Sequence, residues 1–357
     1  MPQVKETKVD PSQSVAALEQ YNLGEGKHGI VAGSLIALAQ RPNSFWLKLQ
    51  SEAGSVEGKL FLPETKAKRL FYFQAGFPGR GAADLEILHL EKLLASGLAV
   101  FAPRHNGSLL NGEHSDRYIK CPERQEKAAR EKQITLGEQA ASPLDKWLVE
   151  PLVVMQTLLS AFEESIVYGH SFGGLSTFYS ITRFFESKPA KHNIKRLVCM
   201  AGATGRIRSD KDNIVKMWSE HIDTDWVKER VKIGAPDANL AHLKAAYGAI
   251  HEKARLLPAE VEVIFLHPWG DTEGSIDELI GVNEPLEMIL SLGRGTLIID
   301  KTQKASSALE QLAHDMCDLP TECMLQISDP SWTPPGQILT LSESGIDSRI
   351  DCDCTLH

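Results

Sequence analysis

The sequence predicts an α/β protein, a mostly parallel central sheet with helices packed on both faces. Near-continuous apolar runs recur along the chain, at Arg69–Gln74, Gly97–Pro103, Ile194–Gly202 and Val261–Leu266. Such runs mark strands buried on both faces, as in parallel sheets. Segments with apolar residues at helical spacing stand between them. A further run, Ser165-Ile166-Val167-Tyr168, breaks into Gly169-His170-Ser171-Phe172-Gly173-Gly174 and then into a helix-patterned stretch from Leu175. Strand, sharp turn and helix in direct succession form the unit around which the rest of the chain is organised.

Taken in order, residues 1–44 are polar, then mildly apolar, and read as an N-terminal arm or helix lying against the domain. From Phe45 the pattern is β-like. Phe45–Gln50, a turn at Ala53-Gly54-Ser55, and Val56–Leu62 before Pro63 make a hairpin. Arg69–Gln74 opens into the glycine-rich loop Ala75-Gly76-Phe77-Pro78-Gly79-Arg80-Gly81. Leu85–Leu94 is an amphipathic helix, and Gly97–Pro103 runs into Arg104-His105-Asn106-Gly107. Residues 108–142 are charged and weakly periodic, with an exposed helix at Glu123–Lys132. Ser142 as cap and Pro143 at the first helical position start the next helix. That helix carries apolar residues from Trp147 to Phe162, with Pro151 resetting or kinking it.

Residues 205–257 are too long for a simple crossover, which needs about a dozen residues or somewhat more. They read as a helical cap inserted at the carboxyl edge of the sheet, where ligands bind in open α/β folds. Their aromatic residues Trp218, Trp226 and Tyr247 read as packing. The core is then split into 45–204 and 258–357. In the second part Val261–Leu266 and Gly295–Asp300 are strands, and Ala305–Met316 is an amphipathic helix. Glu322–Ser328 is the final strand in one of two arrangements. The tail from Pro334 carries no helical signal.

Bulk properties narrow the partners. The chain of 357 residues is long enough for one large α/β domain, with or without a cap. A formal net charge of −9 argues against nucleic acid or an anionic membrane surface as partner. The cluster Lys188, Lys191, Lys195 and Arg196 reads as a solvated loop before a strand. The N-terminus lacks the apolar core of a signal peptide, and no run reaches membrane-spanning length. Six scattered cysteines read as reduced thiols of a cytoplasmic protein. Cys352 and Cys354 have no second pair at ligand spacing, so no metal is expected. Asn106-Gly107-Ser108 matches a glycosylation acceptor, which carries no weight without secretion.

The chemistry lies in the Gly-x-Ser-x-Gly turn. A serine hydroxyl becomes accessible for attack when its residue sits on a strained turn, clear of the backbone. Gly169 and Gly173 let strand and helix close around it. The helix that starts there aims its N-terminus at Ser171, and Phe172 N–H is available as an oxyanion donor. This Gly169–Gly173 motif, with the strand before it and Gly174 after it, resembles the nucleophile elbow of the α/β-hydrolase superfamily. The loop Ala75–Gly81 is similar to the oxyanion loop of that superfamily, with Ala75 where a histidine is usual, and the resemblance makes Phe77 N–H the second donor. Related enzymes often carry Arg-Gly-His-Gly where this chain has Arg104–Gly107, so His105 either faces the substrate or orients the loop. The triad acid is expected after the penultimate strand. Asp271 matches, with Glu273 as second choice and His267 as a polar group at the strand end.

The base is the thinnest part of the resemblance. The residues after Asp300, Lys301 to Ala305, hold no histidine, and His314 falls on the polar side of a helix. If Glu322–Ser328 is the last strand, Asp300 becomes the acid and His357, the last residue, the base. The resemblance spans about residues 45–300. It implies a serine hydrolase that cleaves a carboxylic ester, thioester or activated amide through an acyl-enzyme on Ser171, with Asp271 and His357 completing the triad and no metal or organic cofactor. Phe77 and Phe172 beside the serine imply an apolar small-molecule acyl substrate. A non-catalytic binding protein with an incomplete triad, and an acyltransferase or peptidase of the same fold, remain open. Nothing in the sequence sets the oligomeric state.

Overall fold

The computed structural model describes residues 11–38, 41–77, 81–107, 142–222, 224–228, 231, 233–268, 283–300, 321–342 and 345–347. In chain order its elements are α1 (Pro11–Gln20), β1 (Ile36–Ala37), β2 (Ser44–Ser51), β3 (Gly54–Phe61), β4 (Arg69–Gln74), α2 (Gly81–Leu88), α3 (Leu90–Ala95) and β5 (Leu98–Arg104). There follow α4 (Leu144–Gln156), β6 (Glu164–His170), α5 (Phe172–Glu186), β7 (Ile194–Met200), α6 (Asn213–His221), α7 (Asp225–Lys228) and α8 (Pro236–Glu252). The chain then adds β8 (Glu262–Pro268), α9 (Asn283–Leu292), β9 (Thr296–Asp300), α10 (Thr321–Ser328), β10 (Ile338–Ser342) and β11 (Gly345–Asp347).

All eleven strands lie in one sheet, in the order β1-β2-β3-β5-β4-β6-β7-β8-β9-β10-β11. From β5 to β10 every pairing is parallel, and the antiparallel pairs lie at the two ends. Successive side chains of a strand point to opposite faces, so each buried strand feeds two cores. Leu70 and Tyr72 of β4 join α4, α5, α8 and α9 on one face. Phe71 and Phe73 join α2, α3 and α10 on the other. A parallel sheet with helices on both faces, and β5 folded back between β3 and β4, is the α/β-hydrolase fold that the sequence predicts. The order reverses at β4, whose neighbours are β5 on one side and β6 on the other. Ligand crevices form outside the carboxyl ends of strands at such a point. The loops after β4 and β6, which carry Ala75–Phe77 and Ser171, meet there.

Several elements differ from expectation. Glu322–Ser328 is helix α10 and not a strand. Cys323, Met324 and Ile327 supply one buried helical face, which a short apolar run does not distinguish from a strand. The arrangement that makes Asp300 the acid loses its final strand at that position. The parallel strand beyond β9 is instead β10, in the tail after Pro334-Pro335-Gly336. Arg196 is not solvated: it is buried, paired with Glu262, and donates to the carbonyls of Ile327, Asp329 and Trp332. Helix α4 starts one residue later than expected, with Pro143 at the cap position and no cap from Ser142. Asn239 of α8 accepts the Leu144 N–H instead, at 2.9 Å. Pro151 sits inside α4, and Leu85–Leu94 divides at His89 into α2 and α3. The expected helices at Glu123–Lys132 and Ala305–Met316 lie outside the described residues. Among the described residues no helix is long and apolar enough to cross a membrane.

Candidate active site

Ser171 stands between β6 and α5 with φ 54° and ψ −121°. A positive φ is costly for a residue with a Cβ, by about 1–3 kcal/mol, and persists only where the surroundings enforce it. Here the surroundings are tight. Ser171 N–H donates to Met200 O at 2.9 Å, and Ser171 O accepts from Gly174 N–H at 2.8 Å and Ala203 N–H at 3.3 Å. The elbow is thereby tied to the end of β7 and to the first turn of α5. A Cβ on Gly173 would stand 2.2 Å from Gln74 O, so only glycine lets α5 approach β4 this closely.

The loop after β4 reaches the serine through Gly76. A Cβ there would lie 2.8 Å from Ser171 Cβ and 3.3 Å from its Oγ. Phe77 is the next residue, and Phe172 is the first residue of α5, where helix N–H groups have no intrahelical acceptor. Both sequence-predicted oxyanion residues therefore flank Ser171. Their rings belong to an aromatic cluster. Phe77 lies 5.5 Å from Trp147 and 5.4 Å from Trp218, and Phe172 lies 5.6 Å from Trp218, centroid to centroid. Phe172 is fully buried and Phe77 half-buried. Of the two, Phe77 is the ring that retains an exposed edge.

Behind the loop lies a buried polar network that the sequence signals only faintly. His105 Nδ1 is 2.6 Å from Glu150 Oε2, and Gln74 Nε2 donates to the same oxygen at 3.1 Å. Glu150 Oε1 accepts Asn106 N–H at 2.8 Å, and Tyr72 Oη donates to Gln74 Oε1 at 2.6 Å. His105 Nε2 is 3.2 Å from Ala75 O and from Gly76 O. The imidazole stacks on Trp147 at 4.2 Å with 2° between the planes, and Trp147 Nε1 donates to Asn106 O. Burial, with Glu150 adding to it, holds the Tyr72 phenol well above its ordinary pKa. The available signal for Glu150 was a lone carboxylate in the apolar run Leu148-Val149-Glu150-Pro151-Leu152. Buried charges are rare unless paired. Asn106 is itself buried, with its side-chain amide on Ser55 O, so it is not placed as a glycan acceptor.

A second buried carboxyl holds the loop after β7. Glu284, in the first turn of α9, accepts the N–H groups of Thr204 and Gly205 at 3.0 Å each. Loss of water around this carboxyl pushes its pKa up to about 8. His251 of α8 contacts the carbonyl of Thr204 through Nε2 at 2.8 Å, and burial lowers its pKa.

Of the remaining sequence candidates, Asp300 and His267 belong to described strands. Asp271, Glu273, His314 and His357 lie outside the described residues. Asp300 is buried at the end of β9, in register with Pro268 of β8. His267 is buried within β8, one residue short of its end. Among the described residues no group of three or more His, Cys, Asp or Glu side chains is arranged to hold a metal ion.

No known family model matches the chain, and no curated protein resembles it in sequence. Solved structures do resemble its fold. Est1E from Butyrivibrio proteoclasticus is 13% identical over 79% of this chain and 98% of its own, with a TM-score of 0.42. The esterase EaEST from Exiguobacterium antarcticum is 12% identical over 71% and 89%, with a TM-score of 0.43. The thioesterase domain of the curacin biosynthetic pathway is 9% identical over 78% and 96%, with a TM-score of 0.46. The strand order of the sheet, and not these distant likenesses, defines the α/β-hydrolase fold of this chain.

Proposed function

We propose that the protein is a serine hydrolase that cleaves a carboxylic ester, thioester or activated amide through an acyl-enzyme on Ser171. The observation that carries this is the backbone of Ser171, a non-glycine residue at φ 54° between a buried strand and a helix N-terminus. Strain of this kind is retained where a side chain must stand clear of its turn.

In the proposed reaction Ser171 Oγ attacks the acyl carbon, and a histidine takes the hydroxyl proton. The tetrahedral oxyanion accepts from Phe77 N–H and Phe172 N–H, each worth about 3 kcal/mol to the transition state. The histidine then gives its proton to the leaving group, and water releases the acyl-enzyme by the same steps. Asp271 is the proposed acid, and the base is His357 or His314. The strands that precede Asp271 and His314 in the chain, β8 and β9, are neighbours in the sheet, which is what supports this pairing. Residues 205–257 are proposed as the cap between core segments 45–204 and 258–357. Trp218 of α6, packed on Phe77 and Phe172, supports that role. The half-buried ring of Phe77 favours an apolar acyl group.

A panel of p-nitrophenyl esters of increasing acyl length tests the reading. Wild type is expected to hydrolyse them, with preference rising from acetate to longer chains. Ser171→Ala is expected to lose at least about 10⁴-fold in kcat. One of His314→Ala and His357→Ala is expected to lose comparably, and the other to keep wild-type rates. Activity retained by Ser171→Ala refutes the mechanism, and a preference for short or charged acyl groups refutes the apolar pocket.

A further inference from the structure

We propose that His105 and Glu150 are positioning residues for the oxyanion hole: they fix the Ala75–Phe77 backbone so that Phe77 N–H is held in place to receive the oxyanion. The inference rests on the serine-hydrolase reading of Ser171. Its geometry stands apart from that reading. Successive carbonyls of an extended strand point to opposite sides, yet those of Ala75 and Gly76 both lie 3.2 Å from one atom, His105 Nε2. Two acceptors converging on Nε2 require that it donate. The Gly76 carbonyl and the Phe77 N–H belong to one trans peptide, in which C=O and N–H point in opposite directions. Anchoring the carbonyl on His105 therefore turns the Phe77 N–H away from His105. Gly76 itself packs on Ser171, so this peptide is the wall beside the serine hydroxyl.

Glu150 fixes the imidazole in turn. It takes Nδ1 at 2.6 Å, and its other oxygen holds Asn106 N–H, so the ring and the loop bearing it are oriented together. Gln74, the last residue of β4, reaches the same carboxylate and ties the root of the oxyanion loop into the network. Trp147 covers the ring face. No water-filled or substrate-facing role is needed to explain why His105 is almost entirely enclosed. The chain has Ala75 where related loops carry a histidine, and His105 approaches the loop carbonyls from the neighbouring strand β5.

The test compares His105→Phe, His105→Gln and Glu150→Gln with wild type, using p-nitrophenyl butyrate turnover and active-site counts from fluorophosphonate labelling. Phenylalanine keeps the stacking on Trp147 and removes both ring nitrogens. Glutamine can return an amide N–H to the two carbonyls. For folded protein, His105→Phe is expected to lower kcat by about 10²-fold, the usual effect of losing one oxyanion donor, with KM within about threefold. Glu150→Gln is expected to fall in the same direction, and His105→Gln to recover part of the loss. Equal kcat per active site in wild type and His105→Phe overturns the inference and leaves the hydrolase reading standing. If His105→Phe does not fold, the other two variants decide: losses confined to KM or to the folded fraction overturn it. A wild type that neither turns over the ester nor labels overturns the hydrolase reading, and this inference with it.

Discussion

At the scale of single residues, the site is defined by close contacts that only glycine permits and by one serine held at positive φ. Gly76 is the sharpest case, because its backbone is not at positive φ and an alanine would fit the local conformation. What forbids it is Ser171, whose Cβ would be 2.8 Å away. Gly76→Ala is expected to displace Ser171 or the Ala75–Phe77 loop by a fraction of an ångström and to reduce kcat/KM by about 10²-fold. The melting temperature should fall by only a few degrees, which ester kinetics beside a thermal melt would establish. Gly169 was legible in the sequence because the reason for it is local: a Cβ there would meet Gly173 O and Thr177 Oγ1 of the same strand–turn–helix unit, whereas Gly76 and Gly173 are fixed by Ser171 and Gln74 across the fold. Glu150 was not legible in the same way. Its partners His105, Gln74 and Asn106 come from β4 and from the end of β5, and no spacing rule joins them to the middle of α4.

At the scale of elements, α9 controls the loop after β7 through Glu284. Glu284 is partly exposed as a residue, but its Oε2 is turned inward and accepts both the Thr204 and Gly205 N–H groups, with Tyr247, Cys199 and Glu287 as the titratable neighbours. Burial raises its folded pKa to about 8 from an ordinary 4.5. Between those values the folded state binds a proton that the unfolded state has released. The stability contributed by this group is therefore complete below about pH 4.5 and lost as pH rises toward 8, at no more than ~1.4 kcal/mol per pH unit. Glu284→Gln keeps an acceptor for the two N–H groups and removes the titration. Its urea midpoint is expected to vary less than wild type between pH 5 and pH 8 (about that window), and parallel curves would contradict the assignment. Elements also show where sequence patterns mislead. Glu322–Ser328 is short and apolar enough to be strand or helix, and its neighbours α3, Tyr168 and Arg196 decide for helix. Tyr168 Oη donates to Met324 O at 3.1 Å, a contact across the fold that no local pattern records.

At the scale of the whole molecule, the parallel sheet brings Ser171, Gly76 and Phe77 together at its carboxyl edge, and Arg196 secures the other end. It donates to the carbonyls of Ile327, Asp329 and Trp332, while Arg69 reaches Ser328 O at 3.2 Å. Two cations at the carboxyl end of α10 satisfy its last carbonyls and complement its dipole. Arg196→Met retains length and loses the donors, and is expected to cost at least about 2 kcal/mol in urea unfolding, with kcat of the folded protein little changed. The buried strands β4 to β9 could be read from the sequence because each is a short apolar run bounded by turns. The final strands β10 and β11 could not, because Ile338–Ser342 follows a proline-glycine stretch and gains its identity from pairing with β9. The measurement that tests the whole account most directly is peptide mass analysis after reaction with a fluorophosphonate, wild type beside Ser171→Ala. A single adduct on the peptide containing Ser171, absent from the variant, is the result the account predicts. A folded wild-type protein that takes up no label at Ser171 would contradict it, and would make the chain a binding protein built on the hydrolase fold.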